Sequence, residues 1–280
     1  VKVFKENEMR KGIVFATALV VLAVSGAAVA TAGDLGVDVT AGFVSKYIWH
    51  GYDRLDDKSA FQPSVSFDLF GSGFTAALAM SYANGSKNGG SVSTVNETEY
   101  QYILGYHNSV NGGEMTQVDY AINLVYYDFI DEPDSVHDMY EFNATISMPQ
   151  ICQFGVTPKY TLVYLWPAES DGPSNGVTGS MHVFGLDYDL ALGEVIPNNP
   201  DQVLKFSWDI TYNDGAGAAG RSDRGNPDHD WSHMTWGLST EITCPMGGKF
   251  RPGVYYQTSM EDSVNAHDEF WTGLSYTLSF

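Results

Sequence analysis

The sequence predicts an all-β fold: a 12-stranded antiparallel up-and-down transmembrane β-barrel behind an N-terminal signal peptide. Three observations predict it. A basic pair, Arg10-Lys11, precedes a long uncharged stretch that closes in small residues. One pattern of two-residue alternation then recurs twelve times with no compositional break, and the connections between these segments are alternately long and short.

The uncharged stretch is "GIVFATALVVLAVSGAAVATAG", ending around Ala28, Ala30 and Ala32 in the A-x-A manner of a cleavage site. A membrane anchor is the competing reading, because the run approaches the length that spans a bilayer. Its second half is Ala, Gly, Ser and Thr, and no basic stop-transfer cluster follows, so a cleaved signal is expected. "MRKG" opens an ordinary signal n-region at Met9. Residues 1–33 are therefore expected to be an extension and signal, and residues 34–280 a single outer-membrane barrel domain.

What remains after the leader carries ten basic and thirty-two acidic residues, a formal charge of −22. Nucleic acid is not an expected partner of such a surface. Aromatic residues reach 14% against 17% charged, with 29 glycines, a composition that favours strands and turns over helices. No stretch after the leader is long and apolar enough for a membrane helix.

The strands follow in order. From Leu35 to Trp49 the odd positions Val37, Val39, Ala41, Phe43, Tyr47 and Trp49 are mostly apolar, and the even ones include Asp38, Thr40, Gly42 and Lys46. Phe61, Val65, Phe67 and Leu69 form the second apolar face, and Phe74, Ala76, Leu78, Met80 and Tyr82 the third. The fourth carries Tyr100, Tyr102, Leu104 and Tyr106; the fifth, Val118, Tyr120, Ile122, Leu124 and Tyr126; the sixth, Tyr140, Phe142, Ala144, Ile146 and Met148. Six more run over Phe154 to Trp166, Phe184 to Leu190, Leu204 to Tyr212, Met234 to Ile242, Phe250 to Tyr256 and Phe270 to Phe280.

Alternation alone fits a soluble barrel as well as a membrane one, since each has one apolar face. The connections favour the membrane. "GYDRLDDKSA", "ANGSKNGGSVSTVN", "DFIDEPDSVHD", "PAESDGPSNGVTG", "NDGAGAAGRSDRGNPDHD" and "MEDSVNAHD" are long and mostly acidic, and between them stand shorter links such as "GSG", "PQI" and "PMGG". That is the pattern of extracellular loops on one rim and periplasmic turns on the other. Tyr47, Trp49, Tyr82, Tyr126, Tyr164, Trp166, Tyr212 and Tyr256 fall at the strand ends that enter long loops, where an outer aromatic girdle is expected. Phe70, Phe74, Tyr106, Phe154 and Phe280 fall at the opposite ends.

The stretch "SKYIWHGYDRLDDKSAFQPSVSFDL", followed by "GSGFTAALAMSYAN", resembles the N-terminal signature of the TorF-type porins, Gram-negative outer-membrane proteins. The matching residues are Ser45, Tyr47, Trp49, Gly51, Gln62, Pro63 and Gly73, over about forty residues, and His50 stands where that family usually has Arg. The resemblance implies an outer-membrane location and a channel role.

The faces opposite the apolar ones should line the lumen. They would present Lys46, Asp68, Glu97, Glu99, Asp119, Glu141, Lys159, Asp187, Asp189, Lys205, Asp209, Glu241, Lys249 and Arg251, with polar neighbours such as Gln62, Asn143, Tyr255 and Gln257. Nine carboxylates against five cations make a mixed wall with an acidic excess. Such charges can orient water and small polar solutes, or pair and plug the barrel. A weakly cation-preferring diffusion channel is expected, with a non-conducting barrel that binds a ligand or partner through its acidic loops as the alternative.

No catalytic site is expected, since His50, His137, His182, His229, His233 and His267 all lie near loops and outside any nucleophile motif. "SDRGNPDHDWSH" gathers Asp223, Asp228, His229, Asp230 and His233 but lacks EF-hand spacing, so no metal or cofactor is expected. Outer-membrane lipid and lipopolysaccharide are the expected surroundings. Cys152 and Cys244 fall in turns of non-neighbouring strands, which leaves a disulfide across the barrel mouth open. Finally, Leu274, Tyr276, Leu278 and Phe280 alternate to the last residue, as in the C-terminal signal read by barrel-assembly machinery. A last strand must also pair with the first to remove the sheet edges.

Overall fold

A computed structural model describes residues 35–280 except 85–97, 131–136, 153, 169–176, 194, 196–198, 200–201, 219–226 and 246. The leader and Glu97 lie outside the described residues. The elements are β1 (Gly36–Val44), β2 (Ile48–Trp49), β3 (Tyr52–Asp53), β4 (Ala60–Asp68), β5 (Phe74–Ala83), β6 (Thr98–Val110), β7 (Val118–Phe129) and β8 (Met139–Ser147). They continue with β9 (Val156–Pro167), β10 (Gly179–Gly193), β11 (Gln202–Asp214), β12 (His229–Thr240), β13 (Ile242–Thr243), β14 (Lys249–Ser259) and β15 (Glu269–Ser279).

Twelve of these form the wall, each antiparallel to its sequence neighbour from β4 to β12, then β12 to β14 and β14 to β15. The ring closes between β1 and β15, where Val39 faces Leu278 and Phe43 faces Leu274. Phe280 N–H donates to Val37 O at 2.9 Å, and Val37 N–H returns the bond to Phe280 O at 3.2 Å, so the last residue is paired to its end. Closure leaves no unpaired edge, which is what a barrel in hydrocarbon requires.

The two-residue alternation sorts side chains as the sequence predicts along most of the wall. Phe43, Leu104, Ile122, Leu124, Phe184, Phe206 and Leu274 are exposed on the outside. Toward the long-loop rim the outer rings touch from strand to strand, Tyr102 with Tyr126, Tyr126 with Tyr140 and Tyr140 with Trp166 at centroid distances of 6.0, 5.0 and 5.6 Å. At the short-turn rim Phe74 meets Tyr106 and Phe250 meets Tyr276, both at 4.7 Å.

Two expectations are corrected. The first wall strand ends at Val44 rather than Trp49, and Tyr47 and Trp49 are buried instead of standing in the outer girdle. The chain turns inward at Ser45, whose Oγ accepts from Thr272 N–H at 2.9 Å, and re-forms as the short β2–β3 hairpin. His182, His229 and His233 stand within the first five residues of wall strands β10 and β12, beside the long-loop rim.

Candidate functional site: a hairpin inside the barrel

The β2–β3 hairpin needs a turn of two residues with positive φ, and His50 (47°) and Gly51 (89°) supply it. A Cβ at Gly51 would come within 2.6 Å of His233 Cε1, so only glycine lets the turn reach the far wall. Tyr47, Trp49, Tyr52 and Leu55 are buried in one cluster with Ala60, Ala83, Val125, Tyr127, Phe129, Met139, Val163, Leu165 and Met181. The inward face of the wall is therefore apolar at its long-loop end, where the sequence reading expected only polar lining. Wall and hairpin bury each other there, as in a soluble core.

The polar side chains that the hairpin carries inward find partners, as burial demands, while on the wall Gln257 Oε1 is buried without one. Tyr47 Oη donates to Glu99 Oε1 at 2.9 Å, and Gln101 Nε2 donates to the same oxygen at 2.5 Å. Trp49 Nε1 donates to Tyr127 Oη at 3.3 Å, and Tyr127 Oη donates to Glu141 Oε2 at 2.8 Å. His50 Nε2 lies 3.0 Å from that Glu141 oxygen, while Asn143 Nδ2 donates to the other at 2.9 Å. Tyr52 Oη donates to Ala216 O at 2.8 Å and Gln257 Nε2 to Gly51 O at 2.9 Å. The buried Arg54 guanidinium sits 4.9 Å from the Phe129 ring centroid and 5.5 Å from that of Trp49. The hairpin is thus anchored to β6, β7, β8, β14 and the segment after β11, on opposite sides of the lumen.

A tether holds its base. Lys46 Nζ donates to Glu269 Oε2 at 2.7 Å and pairs with Asp57. Asp57 N–H and Leu55 N–H both donate to Asp53, at 2.7 and 3.2 Å. Burial opposes the charge on Lys46, but hydrogen bonds to Asp57 and Glu269 outweigh it and raise its pKa. The same lysine bond holds the Asp57 carboxyl below its usual range. Burial pushes Asp53 up, against the backbone donors that lower it. Asp53, Asp57 and Glu269 bring carboxylate oxygens within 4.8 Å of one another, a spacing that a cation could use. The Lys46 ammonium already contacts two of the three and supplies that positive charge.

Below the hairpin the lumen is wetter. Lys159 Nζ bridges Asp187 and Asp209 at 3.0 and 3.1 Å, and Lys205 Nζ stands 4.0 Å from Asp189. Glu241 takes Lys249 at 2.7 Å and Arg251 at 3.1 Å, with both cationic side chains about half exposed. Asp119 accepts from Ser109 and Gln117 at the short-turn end, at 2.6 and 2.8 Å. Asp68 closes the β4–β5 turn by accepting from Gly71 N–H at 3.0 Å. The expected lumen residues among the described ones thus divide into two groups: Lys46, Glu99 and Glu141 hold the hairpin, and the others lie on the wall beneath it or at its lower rim. Leu274, Tyr276 and Leu278 are on β15 at the closure with β1. Cys152 and Cys244 are both free. A concavity of about 450 Å³ lined chiefly by Leu186, Phe206, Trp208, Trp236, Val254 and Phe270 lies on the outer apolar belt.

Sequence reasoning missed the apolar inner wall. Its signal was the loss of alternation in "LVYYDF" and "LVYLW", where both faces turn apolar as the strands approach long loops.

No known protein family matches the chain, and no characterised protein matches it by sequence. In shape it is similar to the COG4313 outer membrane channel from Pseudomonas putida F1, with a TM-score of 0.53 at 8% identity over 90% of this chain and 97% of that one. The chain has the fold of an outer-membrane β-barrel. It is also similar to the NanC porin, with a TM-score of 0.49 at 11% identity over 86% and 98% of the two chains. The KdgM porin gives 0.48 at 9% identity over 85% and 98%.

Proposed function

We propose that this protein is an outer-membrane channel for passive diffusion of small polar solutes, narrowed by the hairpin of its first long loop and weakly cation-preferring. The observation that carries the reading is the division of the lumen: a solvated, charged wall below, and an anchored constriction above. Acidic groups outnumber basic ones on that wall, and a fixed acidic excess favours cations. We place the long loops outside and the short turns toward the periplasm, in lipid and lipopolysaccharide, after export and assembly by barrel machinery. The reading involves no catalytic step. We also propose membership of the TorF-type porin family, a reading supported by the roles of Ser45, Tyr47, Trp49 and Gly51, the residues of the resemblance that turn the chain inward and build the hairpin.

A second reading is a barrel closed by the same hairpin, favoured by its anchors on opposite walls. Planar-bilayer recording separates the two. Discrete steps from the purified protein, with a reversal potential of cation sign in a salt gradient, are expected. Replacing residues 46–56 by a short Gly-Ser linker should enlarge the step. A silent native protein whose linker variant conducts would establish the closed barrel, and anion preference would overturn the charge argument.

A further inference from the structure

Directly beneath the hairpin the lumen wall carries an aromatic pair. Tyr255 on β14 and Trp271 on β15 are register partners. Both point inward, because their sequence neighbours Tyr256 and Phe270 are exposed on the outer face. The ring planes are 18° apart with centroids separated by 5.4 Å. Tyr255 lies down along the wall rather than standing into the lumen. A Cβ built on Gly253 would come within 2.6 Å of its Oη, one on Gly237 within 3.2 Å of Cδ1 and Cε1, and one on Gly273 within 3.5 Å of Cε2. Glycines on three adjoining strands thus make a floor for the ring, and a larger residue at Gly237 or Gly253 would prop it up. Trp271 stacks on Tyr255 with an offset, so the two rings present one continuous aromatic surface. Both rings remain only half-buried.

Polar groups frame the pair. Above it are the Lys46–Glu269 pair and Gln257, and below it Arg251 and Lys249 with Glu241. To the sides, Ser207 is the register partner of Gly237, Ser239 of Gly253 and Ser275 of Arg251. An apolar solute would find the rings but not use this frame, and a simple ion would use the frame but not the rings.

We infer that Tyr255 and Trp271 form a binding platform for a polyhydroxylated six-membered ring, so that the channel favours carbohydrate-type solutes. An aromatic face carries negative electrostatic potential and accepts the polarised C–H groups on the flat side of a saturated ring. The ring's equatorial hydroxyls then point to the edge, where guanidinium, ammonium, carboxylate and seryl groups can exchange hydrogen bonds with them. An acyclic polyol of the same composition has the hydroxyls without the flat face.

This inference rests on the channel reading, and the test separates the two. Proteoliposomes are loaded and their uptake of D-glucose compared with that of the acyclic hexitol mannitol. Glucose entry is expected to be faster by roughly two- to tenfold and to saturate. In Trp271→Leu and in Tyr255→Leu the ratio should fall toward one while mannitol flux stays near the native rate. Equal or slower glucose uptake by the native protein overturns the platform, as does a ratio unchanged in both variants. The native ratio is decisive by itself if either variant fails to assemble. Absence of flux for both solutes overturns the channel reading and the platform with it.

Discussion

Gly51 shows how much one residue can decide in this barrel. Its φ of 89° is in the region that L side chains avoid, and the His233 ring occupies the space a Cβ would take. Gly51→Ala should therefore cost about 1–3 kcal/mol from backbone strain alone, with the overlap added to it. The measurement is the temperature at which the folded band converts to the unfolded band on a gel, which should drop. Gly112→Ala is the control, since nothing lies within 4 Å of a Cβ there and its φ is ordinary, and it should leave that temperature unchanged. Around Glu141 the logic is charge rather than shape. The carboxylate is buried but takes His50, Tyr127 and Asn143, so the cost of burying it is offset by bonds to each oxygen.

At the scale of the element, the hairpin is held by a large apolar contact and a small electrostatic tether, and these respond differently to pH. Asp57 is depressed by Lys46, so its contribution is fully present above the ordinary aspartate range and is lost as pH falls through its lowered value. Lys46 is raised, so its contribution is present below the ordinary lysine range and is lost as pH rises through its raised value. Asp53, raised by burial, works in the opposite sense, because its protonation in acid relieves a cost. The tether should thus hold across the neutral range. Single-channel conductance is expected to be flat there and to rise only in strong acid or strong base. Lys46→Met should give the enlarged conductance already at neutral pH, because Asp53, Asp57 and Glu269 then repel one another. The same conductance in this variant at every pH would show that the apolar contact alone holds the hairpin. The hairpin itself was not legible in the sequence. Tyr47 and Trp49 continue the alternation of β1, and a two-residue period cannot distinguish a strand that goes on in the wall from one that turns inward and resumes.

For the whole molecule, closure is the decisive step. Phe280 supplies both a donor and an acceptor to Val37 and presents an exposed ring at the short-turn rim. Deleting it should remove two ladder bonds at the seam and, if the terminal alternation is the proposed assembly signal, blunt that signal as well. Much less heat-modifiable barrel is expected in the outer membrane, and a normal amount would overturn the role given to this residue. The seam also explains why strand count was readable from the chain. Twelve alternating segments joined by connections of alternating length can return to their start only as an even, antiparallel ring.

The sequence by itself determined the class, the number of wall strands, which face of most strands is apolar and where the ring closes. All of these follow from a short-range period and from the requirement that no backbone group be left unpaired. Only the tertiary structure decided what fills the lumen. Whether Tyr47 and Trp49 meet lipid or Glu99 and Tyr127 depends on partners 52 and 78 residues away. The setting of the Tyr255 ring likewise depends on glycines of three adjoining strands. Contacts across a barrel are set by ring closure, and no local pattern carries that information.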